Sequence, residues 1–496
     1  MPSIKNLLQH LQYNPKDPLL FNSAFFLIFM LLFFIVYQFI YKKTFLRTIV
    51  VCVFSLYFFY KACGWYVMCI MVAAVVDYNI SNSIYKTIKK NKRKQLLIIS
   101  IVLNLGLLFF FKYTNLFIDT INNISIGKIE PLHLILPIGI SFYTFENLSY
   151  TVDVYRKQIK PVQSFWDYLF FLSFFPKLMM GPIVRAADFV PQIRKQVAIS
   201  NEQVSEGLYL IGSGIFKKMI ISDYLYSNYV ERIFDNPSLY TGVECITGVY
   251  GYAMVIYCDF SGYSSMAIGM GKWMGFEINP NFASPYQSKS ITEFWRRWHI
   301  SLSSWLKDYL YIPLGGNRCS KPKQNINLFI TMLLGGLWHG ASWNFVFWGG
   351  LHGTALGIDK VKNNLIERNT FVKNILQKNR KLFSIIGIVI TFHFVCLCWI
   401  FFKTATFNDS LNMLHQITSN LSLSLTPELI AAYTGVFIVL IIAFVLHFIP
   451  LQTEQKAITW LSGTNIYTKI FLFFVIVFVA IQMKQAEAIL PVYLQF

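Results

Sequence analysis

Residues Pro18 to Tyr41 contain no Asp, Glu, Lys or Arg, and runs of this kind return along almost the whole chain. About 20 such residues suffice to cross the hydrocarbon core of a bilayer as a helix. Further apolar runs lie near 46–60, 62–80, 95–111, 131–151, 165–183, 205–222, 241–258 and 260–275, with late ones near 382–402, 429–449 and 469–486. A soluble core cannot hide so many. The pattern predicts an all-α, polytopic integral membrane protein with eleven or twelve transmembrane helices, since helices satisfy their backbone polar groups inside lipid. The first run lacks a small-residue cleavage site and is followed by Lys42 and Lys43, so we expect an anchor rather than a cleaved leader.

Charged residues make up 14% of the chain, against roughly 25% in a soluble domain. That excludes an ordinary soluble enzyme and a disordered chain. The 43 Lys and Arg outnumber the 24 Asp and Glu, but they gather in short loops between apolar runs. Such placement orients a membrane protein and gives no reason to expect nucleic acid. Lys42, Lys43 and Arg47 after the first run, and Lys86 to Lys94 after the third, share a side if the two intervening runs each cross. That side is cytoplasmic by the positive-inside rule, with the N-terminus outside the cell membrane. The eight Cys lie mostly in apolar runs, and Cys396-x-Cys398 has no second ligand pair, so neither a metal site nor a disulfide framework is expected. No internal repeat is visible. We expect a single transmembrane domain over 1–496, with N-terminal spans in 1–130, a core in 131–360 and C-terminal spans in 361–496.

Two stretches in that core could carry chemistry. In the polar, basic segment 276–325, Phe294-Trp-Arg-Arg-Trp-His299 runs on through Trp305 to Pro313-Leu-Gly-Gly-Asn-Arg318. Arg296, Arg297, Lys307 and Arg318 stand among aromatic residues, a set that suits a polyanionic ligand. Two adjacent arginines should hold the His299 imidazole neutral. The second stretch is Leu333-Leu-Gly-Gly-Leu-Trp-His339-Gly, inside a run from 324 to 358 that is free of Asp, Glu, Lys and Arg. An ionisable residue at such depth is a functional hypothesis in itself, and a desolvated neutral imidazole suits a general base. His352, His393 and His447 read as structural. Asp259 and Glu146 interrupt apolar runs and should either pair with buried cations or line a polar channel. The segment 360–381 reads as a charged loop or an amphipathic surface helix.

These pieces resemble the membrane-bound O-acyltransferase family. The matching stretches include Leu136-Pro-Ile-Gly-Ile-Ser-Phe-Tyr-Thr-Phe145, Gly181-Pro-Ile-Val-Arg185, Asp259-Phe-Ser-Gly-Tyr-Ser264, Phe294 to Arg318, Leu334 to Gly350, Trp399-Ile-Phe-Phe402 and the closing Tyr493-Leu-Gln-Phe496. More narrowly, the chain is similar to the bacterial branch that O-acetylates alginate and D-alanylates teichoic acid. The resemblance implies short and re-entrant helices around a central tunnel. It places His339 on the family's catalytic histidine and His299 on the branch's second histidine. It implies an acyl group, acetyl first, passed from a cytoplasmic thioester such as acetyl-CoA towards a cell-envelope polysaccharide, with D-alanyl transfer to teichoic acid as the alternative. No cofactor is expected to stay bound, and a separate extracytoplasmic acyltransferase or esterase-like protein would complete the transfer. Arg296, Arg297, Trp298, Arg318, Trp338, Asn344 and Asp259 are the residues expected to contact donor or substrate. A lipid-linked glycan transporter fits the spans equally well but has no need of a general base. A lipid-linked glycosyltransferase would want paired carboxylates in an early loop, where 112–130 offers Asp119 and Glu130.

Overall fold

The computed structural model describes residues 11–14, 18–21, 23–124, 128–134, 136–482, 491 and 492. The closing Tyr493–Phe496 motif lies outside the described residues, as does the end of the expected last span. Among the described residues the regular structure is helical, with no strand. The chain divides into two compact units, one of Met1–Ile215, Tyr263–Asn279 and Glu454–Leu490, the other of Phe216–Gly262, Pro280–Thr453 and Pro491–Phe496.

The first unit contains α1 (Ala24–Ile40), α2 (Thr44–Cys63), α3 (Val67–Lys86), α4 (Lys90–Ile124), α5 (Ile140–Tyr155), α6 (Phe165–Ser173) and α7 (Asn201–Ile215). Gly64, at φ +63°, interrupts the backbone between α2 and α3. Their polar residues meet inside the unit. Asp77 of α3 accepts hydrogen bonds from Ser100 and Asn104 of α4, and Asn147 of α5 links Asn104 to the Tyr168 hydroxyl. Glu146 pairs with Lys177 and accepts the Val184 N–H. This is the buried-cation partnership that its place in an apolar run requires.

Among the described residues, three stretches are long and apolar enough to cross a membrane: Thr44–Lys86, Lys90–Ile124 and Arg380–Lys403. A fourth, Leu423–Ala432 with Thr434–His447, bends by 93°. Of the other expected spans, those near 241–258 and 260–275 merge into one 32-residue helix, Gly242–Trp273, and several others are shorter helices. The run near 131–151 gives the 16-residue α5 and that near 165–183 the nine-residue α6, both largely buried in protein. An apolar run that faces protein and one that faces lipid carry the same composition, so sequence counts them alike.

The second unit contains the earlier part of α8 (Gly242–Trp273), then α9 (Ile291–Arg297), α10 (Ile300–Leu306), α11 (Lys321–His339), α12 (Trp343–Arg368), α13 (Arg380–Lys403) and α14 (Thr434–His447). α11 and α12 form a hairpin whose backbones touch. A Cβ on Gly336 would lie 2.2 Å from the Phe345 carbonyl oxygen, and one on Gly349 would lie 2.3 Å from that of Met332. Only glycine allows this approach. Asp359 of α12 then accepts the Thr292 N–H (3.0 Å) and hydroxyl (3.2 Å) and the Lys362 ammonium (2.7 Å), which ties the start of α9 to α12.

Candidate active site

α9 begins on a Ser-x-x-Glu pattern: the Ser290 hydroxyl accepts the Glu293 N–H at 3.2 Å. It ends after seven residues because Trp298 is extended and His299 is left-handed (φ 43°, ψ 55°), and α10 restarts at Ile300. A non-glycine residue in that region costs about 1–3 kcal/mol and persists only where its surroundings hold it. Here the segment 281–283 lies along the break. The Ala283 N–H donates to the Arg297 carbonyl (3.0 Å) and the Ile300 N–H to the Asn281 carbonyl (2.9 Å).

His299 thereby enters a buried aromatic cluster. Its ring lies 4.7 Å from that of Phe260, 5.9 Å from Trp338 and 6.5 Å from His339, centroid to centroid. His339, the last residue of α11, is walled by Trp338 (5.1 Å), Trp348 (5.1 Å) and Phe402 (5.4 Å). A side chain at Gly340 would strike the Phe345 ring, which packs on Phe402 at 5.0 Å. The two histidines are 40 residues apart in sequence, and α11, returning from the polar segment, brings them together. His299 lies in 276–325, outside the apolar spans. Burial pushes its pKa down to about 3, leaving it neutral. The neighbouring arginines are not the cause, in contrast to the sequence expectation.

The remaining expected residues separate into two groups. Trp338 touches both histidines. Arg296 lines a cavity of about 600 Å³ together with Lys307, Lys360, Asn317, Asn363 and Asn364. Arg297 is engaged elsewhere, with Nε and Nη2 on Glu293 (3.0 and 2.8 Å) and Nη1 on the Ala283 carbonyl (3.1 Å). Arg318 is exposed on the turn after the Gly315-Gly316 pair and is not among the residues lining that cavity. Trp298 is buried and stacked on Phe294 at 5.6 Å, a support behind His299. Asn344 donates to the Thr404 carbonyl at 3.0 Å and fastens α12. Asp259 pairs with Lys218 at 2.6 Å and accepts the Val492 N–H at 2.8 Å. His352 accepts the Trp295 indole N–H, His393 bonds the Tyr250 hydroxyl, and His447 accepts the Tyr286 N–H, so all three have structural partners.

Sequence reasoning missed Asn281, Lys360, Asn363 and Asn364. Lys360 and the two asparagines fall in 360–381, expected as a charged loop or an amphipathic surface helix, and they sit at the polar end of α12, where their spacing at i, i+3 and i+4 puts them on one face. That spacing was a usable signal. Asn281 carried none.

A neutral imidazole held beside a second one, inside an aromatic enclosure and within a membrane-embedded helical protein, is equipped to take a proton from a hydroxyl. The sequence profile of the MBOAT, membrane-bound O-acyltransferase family, matches residues 140–398, a span that contains both histidines. The chain belongs to the membrane-bound O-acyltransferase family. A peptidoglycan O-acetyltransferase of Helicobacter pylori is 34% identical over 384 residues, covering 72% of this chain and 71% of that protein. A probable alginate O-acetylase AlgI of Pseudomonas aeruginosa is 43% identical over 62% of this chain, and a teichoic acid D-alanyltransferase of Bacillus subtilis is 31% identical over 56%. The matched part spans 57% of the alginate relative and 71% of the D-alanyltransferase.

Proposed function

We propose that this protein transfers an acetyl group from a cytoplasmic thioester, acetyl-CoA or a related donor, for O-acylation of a cell-envelope polysaccharide. The observation that carries the reading is the pair of buried histidines 6.5 Å apart, with Trp338 against both. In this mechanism His339 removes the proton from an acceptor hydroxyl as the oxygen attacks the thioester carbonyl, and the thiolate leaves. His299 orients the reacting groups or stabilises the charge that develops on the carbonyl oxygen. Arg296, Lys307 and Lys360 around the cavity supply cations for the anionic part of the donor. The protein lies in the bacterial cytoplasmic membrane with its N-terminus outside, and a separate extracytoplasmic acyltransferase delivers the group to the glycan.

D-alanyl transfer to teichoic acid is the second reading, supported by the 31% identity to a protein of that name. One experiment separates them. Ester-linked groups released by mild base from purified envelope glycans are identified by mass spectrometry in wild-type, deletion and His339→Ala cells. Loss of acetyl from one glycan in both mutants supports the first reading and names the acceptor. Loss of D-alanine supports the second. Unchanged esters in both mutants would overturn acyl transfer.

A further inference from the structure

Asn281 lies 18 residues before His299, in the segment that clasps the break between α9 and α10, and is 1% exposed. Its side-chain Oδ1 meets three groups: the Ser301 backbone N at 3.1 Å, the Ser301 hydroxyl at 2.9 Å and His299 Nδ1 at 3.2 Å. A backbone N–H can only donate. The atom facing Ser301 N is therefore the amide oxygen, and the carboxamide cannot be turned the other way. An oxygen facing Nδ1 requires a proton on Nδ1. The lone pair of the neutral ring is then on Nε2.

We propose that Asn281 is a positioning residue for acyl transfer: it locks His299 in the Nδ1–H tautomer, so that Nε2 is the nitrogen that accepts a hydrogen bond or a proton during the reaction, which selects the orienting role for His299 over stabilisation of the carbonyl oxygen, since the neutral ring then has no N–H left to donate. The inference rests on the acyltransferase reading above. The same carboxamide caps α10 through Ser301, so the ring's tautomer and the backbone turn that presents the ring are set by one side chain. Its Nδ2 is buried and, among the described residues, meets no acceptor. The oxygen therefore makes the contacts on which the arrangement depends. Among the described residues, the titratable group seen packed against the His299 ring is His339 of α11. Phe260 of α8 and Trp338 of α11 present uncharged rings, and Asn281 and Ser301 are neutral. Of the two preceding arginines, Arg297 is held by Glu293 and Arg296 is exposed.

Asn281→Asp is the informative substitution. It is isosteric and keeps an oxygen for Ser301 and for Nδ1, so a purely structural role predicts an unchanged enzyme. If Asn281 sets the protonation of His299, the new carboxylate stabilises the imidazolium, and its pKa rises by about 1–3 units. The wild-type ring, neutral throughout the working range, gives no acid limb of its own. In Asn281→Asp an acid limb in kcat that wild type lacks should appear, with KM for the donor nearly unchanged. A second readout needs no turnover. Histidine ¹⁵N spectra of the full-length protein in detergent, with the His299 signal assigned by its loss in His299→Asn, should show a neutral ring protonated on Nδ1 in wild type and a ring that becomes doubly protonated at higher pH in Asn281→Asp. A pH profile of Asn281→Asp that superimposes on wild type, or a wild-type His299 protonated on Nε2, would overturn the proposal. His339→Ala run in parallel keeps the two failures apart. An active His339→Ala removes the underlying reading, whereas an inactive one beside an unmoved Asn281→Asp profile removes this inference alone.

Discussion

The indole N–H of Trp295 donates to Nδ1 of His352 across 3.3 Å, and this places the His352 proton on Nε2. The ring of Trp348 stands between His352 (4.7 Å) and His339 (5.1 Å). The third histidine thus buttresses a wall of the site and does not enter it. Trp295→Phe should keep the packing but leave a buried acceptor unmade, at a cost of about 1–3 kcal/mol. We expect a lower thermal midpoint in detergent, with acyl transfer per folded molecule reduced little.

His339→Ala should lower turnover by roughly 10²–10⁴-fold, the usual worth of a general base. The variant should still insert and elute at the wild-type position in size-exclusion chromatography, because α11 and α12 hold each other through the contacts of Gly336 and Gly349. Steady-state assay of the purified protein checks this.

Those contacts can be tested against Gly357, on the same helix as Gly349. Gly349→Val places atoms inside the Met332 backbone and should abolish folded protein. Gly357→Ala meets nothing closer than Asn325 at 4.0 Å and should be neutral or stabilising by up to about 1 kcal/mol through helix propensity. Expression level and thermal midpoint distinguish the two.

Cations around the cavity and cations outside it should behave differently. Lys307→Gln with Lys360→Gln should raise KM for an anionic thioester donor several-fold and weaken its salt dependence. Arg318→Gln should leave both close to wild type. A salt titration of donor kinetics gives the comparison.

Asp359 supplies a pH test. Burial acts to raise its pKa, but hydrogen bonds from Lys362 and Thr292 outweigh that, and the net direction is downward. A depressed carboxyl stabilises fully above its unfolded pKa of about 3.9 and loses that contribution as pH falls through the folded value. The difference in thermal midpoint between wild type and Asp359→Asn should therefore be present at pH 7 and close below about pH 4.

Much of the candidate site was legible because membrane-depth chemistry leaves few disguises. A histidine in an uncharged apolar run, or packed among tryptophans, stands out, and His339 and His299 did. What sequence cannot show is which polar groups are already spoken for. Arg297, Asn344 and Asp259 look like ligand contacts until Glu293, Thr404 and Lys218 are found against them. The converse error hid Lys360, whose cationic neighbourhood looked like solvated surface. Asn281 was invisible because an asparagine in a loop is ordinary, and its importance comes from a partner 18 residues away. The number of spans was harder still, since α5 and α6 bury apolar runs in protein that composition alone assigns to lipid.

The left-handed backbone of His299 also changes what a loss of activity at that position would mean. Alanine there removes an imidazole and, in the same stroke, asks a residue that disfavours positive φ to keep the joint between α9 and α10 in register. A dead His299→Ala protein would not separate lost chemistry from a straightened backbone. Asparagine adopts that conformation more readily than most residues. The sound control for this histidine is therefore chosen for its torsion angles first and its chemistry second.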